Sequence, residues 1–227
     1  RAVTQDAERA KREARDKHPL VKSAADDNAV LGRELARVAA DAGVVAADRR
    51  HGEEQRKQLS EIFERTRSQL ERVGLRGLGG AALREQRARL PAIVNDNLRM
   101  WAKWRGRIGE AESRRFQISI DRHVLADAAA AAARMLEKEP EAADARREEL
   151  VAALLPLLAQ RSELLAKLDE AYDNLLKNLR DMETMQAQLG DTARRFSMLL
   201  DEWLPWIPSA APFALRTLKD LGPALAW

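Results

Sequence analysis

The sequence predicts an all-α protein, an elongated antiparallel helical hairpin or slender bundle with coiled-coil-like packing. Three observations predict it. Charged residues make up 33% of the 227 positions while Phe, Trp and Tyr make up 4%. That balance suits long helices around a thin core better than a deep globule. Apolar residues recur at three- and four-residue steps over long runs, the spacing of a helix with one buried stripe. Chain-breaking residues are concentrated in a few places, which marks reversals between helices.

Residues 1–17 read as an N-terminal helical extension or linker. The segment 18–90 reads as a first long helix, a glycine-rich turn and a short helix. Within it Leu31, Leu35, Val38, Ala42 and Val45 form one stripe, and Leu59, Ile62, Thr66, Leu70 and Val73 another. Gly32, Gly43 and Gly52 each weaken the helix by about 1 kcal/mol relative to alanine. Apolar density thins between Asp48 and Gln58, where a partner helix is expected to be absent or loosely packed. Gly74-Leu-Arg-Gly-Leu-Gly-Gly80 supplies the freedom to end one helix and reverse the chain.

Residues 91–202 read as the long helices of the bundle, with Pro91 starting a fresh first turn. The pattern runs through Leu98, Trp101, Trp104 or Arg105 and Ile108 to Met135, and Glu139-Pro140 is the next expected break. Phe116-Gln-Ile-Ser-Ile120 alternates like a strand, but its helical flanks predict helix. Leu154, Leu158, Leu165, Leu168, Tyr172, Leu175, Leu179, Met182, Leu189 and Phe196 follow a coiled-coil seam. Pro156 within that run predicts a kink or a helix start. Residues 203–227 form a Trp/Pro-rich segment. Each long run is on the order of 50 residues, or roughly 75 Å.

Composition and motifs exclude several function classes. The 39 Lys plus Arg nearly cancel the 36 Asp plus Glu, too even a balance for a nucleic-acid surface. Trp101-Ala-Lys-Trp104-Arg-Gly-Arg107 mixes rings with cations, yet tryptophans three apart form a packing stripe. The glycine cluster lacks the Lys-Ser or Lys-Thr of a phosphate loop. His18, His51 and His123 are scattered and there is no cysteine, so no structural zinc site is expected. No nucleophile elbow occurs, and an enzyme or a cofactor is not expected.

No run of 18 apolar residues occurs, so no membrane span is expected within these positions. The chain opens on Arg1 and stops on Leu225-Ala-Trp227, and it reads as a piece of a longer protein. Trp203, Trp206 and Trp227, with Pro208, Arg216 and Lys219 among them, are candidates for contact with a membrane interface. Tryptophan rings favour the headgroup level, where one edge is apolar and the N–H stays wet. A tail capping the bundle explains the same residues.

His18-Pro-Leu-Val-Lys22, Asn28-Ala-Val-Leu31, Val73-Gly-Leu75 and Leu83-Arg-Glu-Gln-Arg87-Ala-Arg-Leu-Pro91 also carry a family resemblance, as does Leu200-Asp-Glu202-x-Leu204-x-Trp206-Ile-Pro-Ser209-x-x-Pro212. From His18 to Trp227 the chain resembles the large multi-domain mechanosensitive channels of the MscS superfamily, of the MscK (KefA) and MscM type. Trp203 and Pro205 depart from the charged residue and leucine expected there.

The resemblance implies an inner-membrane channel that opens under tension in hypo-osmotic shock, this chain being part of its periplasmic helical region. It implies other subunits of the same channel as partners, in a homo-heptamer, and the inner-membrane surface at the C-terminal end. It places no pore, gating or selectivity residue in these positions, and no nucleic acid or small-molecule substrate as partner. The alternative expectation is a soluble coiled-coil adaptor or scaffold that binds a partner protein helix.

Overall fold

The computed structural model of the protein describes residues 2–73, 80–137 and 144–206. Of these, 95% are helical and none lies in a strand, an all-α helical bundle. The helices are α1 (Ala2–Glu13), α2 (Pro19–Val73), α3 (Gly80–Arg105), α4 (Arg107–Val124), α5 (Ala128–Glu137) and α6 (Asp144–Trp203), followed by a 3-10 turn over Leu204–Trp206. Positions 74–79 of the glycine turn, the Glu139-Pro140 break and the chain after Trp206 lie outside the described residues.

Helix α2 begins where the sequence predicts. The His18 ring nitrogen Nδ1 accepts the Leu20 amide at 3.3 Å. Pro19 takes the first helical position, where a missing N–H costs nothing. The N-terminal extension is helical too: α1 seats Ala7 fully buried, facing Gly32 of α2.

Two prolines lie within helices instead of starting them. Pro91 is inside α3, which starts at Gly80, and Pro156 is inside α6. Both are exposed. The carbonyl that each deprives of a partner, at Arg87 and Ala152, therefore lies on a helix face open to water, which reduces the penalty of an interior proline.

The run expected to reach Met135 is broken at Leu125–Asp127. There the Asp127 carboxylate accepts the Ala130 amide at 3.0 Å and caps α5. Arg134 donates to the Val124 carbonyl at 3.2 Å, satisfying an acceptor at the end of α4.

The chain divides into two compact units, residues 1–50 with 102–183 and residues 51–101 with 184–227. In the first unit α2 and α4 run antiparallel, because Glu34 pairs with Arg114 and Asp41 with Arg107. α4 and α6 also run antiparallel, through Glu112–Arg180 and Arg115–Asp169. One core cluster of this unit joins Val21, Ala24 and Ala25 to Leu136, Leu154 and Leu158.

In the second unit Gln55–Asn97 and Thr66–Gln86 set α2 antiparallel to α3. Its core gathers Leu59, Leu83, Leu90, Ala193, Phe196 and Leu200, with the Phe63 ring tilted against Phe196 at 5.6 Å between centres. All ten positions of the predicted α6 seam are buried.

Candidate functional site

Helical periodicity fixes which side chains turn inward, and it turns several polar ones inward as well. In the first unit, Glu34 of α2, Arg114 of α4 and Tyr172 of α6 converge. Arg114 donates Nε and Nη2 to the two Glu34 carboxylate oxygens, each at 2.8 Å. The Tyr172 hydroxyl donates to Glu34 Oε1 at 2.8 Å. Three helices are thus tied at one carboxylate by a bidentate charged pair and a third bond.

The Arg114 bonds hold the Glu34 carboxyl below its ordinary range, outweighing the burial that raises it. The same pairing raises the Arg114 guanidinium. Burial, then the Glu34 carboxylate, pushes the Tyr172 phenol up to about 12. A carboxylate this well satisfied is a poor proton acceptor, and a phenol this weak stays neutral. The cluster is built as a clamp.

A second tie in this unit centres on Asn28, which is fully buried. Its Nδ2 donates to the Leu157 carbonyl at 2.8 Å and to Gln160 Oε1 at 2.9 Å. Its Oδ1 accepts Arg161 Nε at 3.0 Å, while Arg161 Nη2 also meets the Asp27 carboxylate at 2.8 Å and the Ala24 carbonyl at 3.2 Å. A buried amide with every group used fixes the register of α2 against α6.

The second unit uses close approach. A Cβ on Gly52 would stand 2.2 Å from Met185 Cε and 3.0 Å from Asn97 Oδ1. Asn97 donates to Gln55 Oε1 and to the Ile93 carbonyl, and its own Oδ1 is buried without a partner. The expectation of loose packing between Asp48 and Gln58 is therefore corrected. Gly52 admits Met185 and Asn97 where larger residues would hold the helices apart. The stripe is also shifted, for Asn97 is buried while Leu98 is 43% exposed. Likewise Ile62 is exposed and Phe63 takes the inward place.

The tryptophans of the Trp101–Arg107 motif are buried, as packing requires. Trp104 Nε1 donates to Asp48 at 2.9 Å, and Lys103 and Arg107 lie 4.7 and 5.3 Å from its ring centre. Such cations over a ring add modest stability. No group of three or more His, Asp or Glu able to hold a metal occurs among the described residues. His18 serves as a helix cap, and His51 Nε2 lies 3.0 Å from Gln55 Nε2.

Of the interface candidates, Trp203 ends α6 half-buried and Trp206 is 74% exposed in the following turn. Pro208, Arg216, Lys219 and Trp227 lie outside the described residues. Beside the tryptophans, Leu200 is fully buried in the core and Arg87 grips Asp201 at 2.8 and 3.1 Å. No described helix is long and apolar enough to cross a membrane.

Sequence reasoning missed both polar clamps. Their signals were a lone tyrosine in a leucine seam and asparagines at inward positions. Comparison of the chain with protein-family models, with curated proteins and with solved structures finds no match in any of the three.

Proposed function

We propose that this chain is a periplasmic helical structural module of a tension-gated mechanosensitive channel acting in hypo-osmotic shock. It would sit at the inner membrane and assemble with other subunits of the same channel. The observation that carries the reading is the end of α6. This helix runs unbroken from Asp144 to Trp203 and delivers an exposed Trp206 within the Leu200–Pro212 stretch on which the family resemblance rests.

Its mechanical role is supported by how the helices are joined. Leucine packing alone lets long helices slide past one another with little change in buried area. Directional bonds from Glu34 to Arg114, Asn28 to Leu157 and Asn97 to Gln55 oppose that sliding, because each loses its partner when the register shifts. A module tied in this way passes displacement along its helices instead of absorbing it.

Deletion of residues 18–200 from the intact channel, with currents recorded in membrane patches, tests the reading. A changed tension threshold or changed assembly is expected. An unchanged threshold in normally assembled channels would refute it. The alternative, a coiled-coil adaptor for a partner helix, draws on the exposed apolar side chains Val44, Leu98 and Met198. It predicts binding of an amphipathic helix by the isolated chain.

A further inference from the structure

Helix α1 lies folded back along α2. Thr4 and Ala7 stand against Gly32, Glu8 pairs with Arg33 at 2.6 Å, and Lys11 pairs with Asp26 at 3.1 Å. Positions fall on one helix as they rise on the other, so the two form an antiparallel hairpin with its corner at residues 14–18.

Little holds the hairpin shut. Within α1 only Ala7 is buried, and its side chain is a single methyl group. Beside it a gap of about 260 Å³ separates Thr4, Gln5 and Arg12 of α1 from Arg33 and Ala36 of α2. Both ion pairs are about half-exposed, so each is weak in water and is screened by salt. The buried ties at Asn28 and Glu34 are of a different kind.

The corner, by contrast, is anchored. Ala14 packs in the core with Val21, Ala24 and Ala25. His18 caps α2 through the Leu20 amide, so the start of α2 does not rely on α1. A helix of 12 residues is marginal without packing. Undocking and loss of helical order in α1 are therefore one step.

We propose that α1 is a detachable strap, which peels from α2 and reseats as a unit about the corner while α2, α4, α5 and α6 stay packed. The Glu8–Arg33 and Lys11–Asp26 pairs are its latch. The free end of the hairpin lies at Gly32, so a load there breaks the contacts in turn: Gly32 first, then Glu8–Arg33, then Lys11–Asp26. Contacts broken in turn yield at a lower force than contacts sheared together. Ala29 and Gly32 of α2 are buried when the strap is seated and bared when it leaves. As a helix α1 is about 18 Å long, so a full swing carries position 2 through roughly 36 Å. The strap is slack on a bundle that is otherwise tied, and it does not depend on the channel reading.

Hydrogen exchange on the full chain tests the proposal. Amides 6–13 should exchange at least about a hundredfold faster than those of buried α2 positions 21–38. Raising salt from about 0.02 to about 0.5 M should speed that exchange severalfold, by screening the latch. Glu8→Gln with Lys11→Gln should speed it at low salt and abolish the salt response. A Cβ on Gly32 would stand 3.6 Å from Ala7 Cβ, within the roughly 3.5–4.5 Å span of a disulfide. The chain has no cysteine, so Ala7→Cys with Gly32→Cys gives one defined lock. Oxidation should bring amides 6–13 close to the protection of α2, and reduction should release them. Equal protection of α1 and α2 in the unmodified chain overturns the strap, because α1 would then open only with the bundle. Fast exchange that persists in the oxidised variant overturns it too, since α1 would then be fraying in place. Exchange indifferent to both salt and the Gln substitutions overturns the latch.

Discussion

The two units solve the same problem, holding long helices in register, by different means. The first ties α2, α4 and α6 with ions and amides: Glu34 to Arg114 and Tyr172, Asn28 to Arg161. The second draws its helices together at Gly52 and fills the interior with Phe63, Phe196 and leucines. The Glu34–Arg114–Tyr172 clamp is sensitive to protonation and largely indifferent to small changes in volume. Close packing is the reverse. The units should therefore fail under different insults.

The largest expected effect tests the packed unit. Phe196→Ala leaves a cavity between α2, α3 and α6 and should cost about 3–5 kcal/mol. Hydrogen exchange should show the loss concentrated in residues 51–101 and 184–206. Equal loss of protection in both units would show that they unfold as one.

Gly52→Leu should cost about 2–3 kcal/mol by overpacking against Met185 and Asn97. Denaturant midpoints should show partial recovery when Met185→Ala is added. No recovery would mean that Met185 is not what limits the space at Gly52.

The clamp of the first unit should respond to pH at both ends. Glu34 titrates below its ordinary value of 4.5 in the fold. Its contribution is thus present above about pH 4.5 and is lost as pH falls through the lower folded value. Tyr172 is raised from 10.0 to about 12, so its contribution is present below pH 10 and is lost as pH rises through about 12. Tyr172 is the only tyrosine in the chain, so tyrosinate absorbance reports it directly. Glu34→Gln should move that titration downward and flatten the acid limb of stability, with a loss of about 1–3 kcal/mol at neutral pH. An unmoved phenol titration would remove Glu34 as one of its causes.

The smallest effect has the opposite sign. Gly43 lies inside α2 with nothing near its missing side chain. Gly43→Ala should stabilise the first unit by about 0.5–1 kcal/mol, read as a raised melting temperature. A loss would mean that Gly43 serves something other than the helix.

Much of this architecture is legible in the residues. The start of α2 at Pro19 and the buried seam from Leu154 to Phe196 follow from proline geometry and helical period. The Asp127 break was readable as well, since an aspartate before six alanines is a capping signal. An apolar run on either side masked it. Leu98 and Ile62 were misplaced for a different reason. They are a position away from Asn97 and Phe63, and hydrophobicity alone does not say which of two neighbours turns inward.

The sequence by itself determined that this protein is all-α, with long helices and reversals where glycine and proline gather. Those properties are local, set by propensity, period and backbone freedom. Only the tertiary structure decided that α2 runs antiparallel to α3 and α4 but parallel to α6, with Glu34 and Asn28 as ties, that Gly52 is a point of closest approach, and that α4 leaves Phe116, Ile120 and Val124 uncovered. The physical reason is that a pattern of apolar steps specifies which face is buried but not against what. Partner and register depend on side chains distant in sequence, and a buried polar group declares its role only when its partner stands opposite.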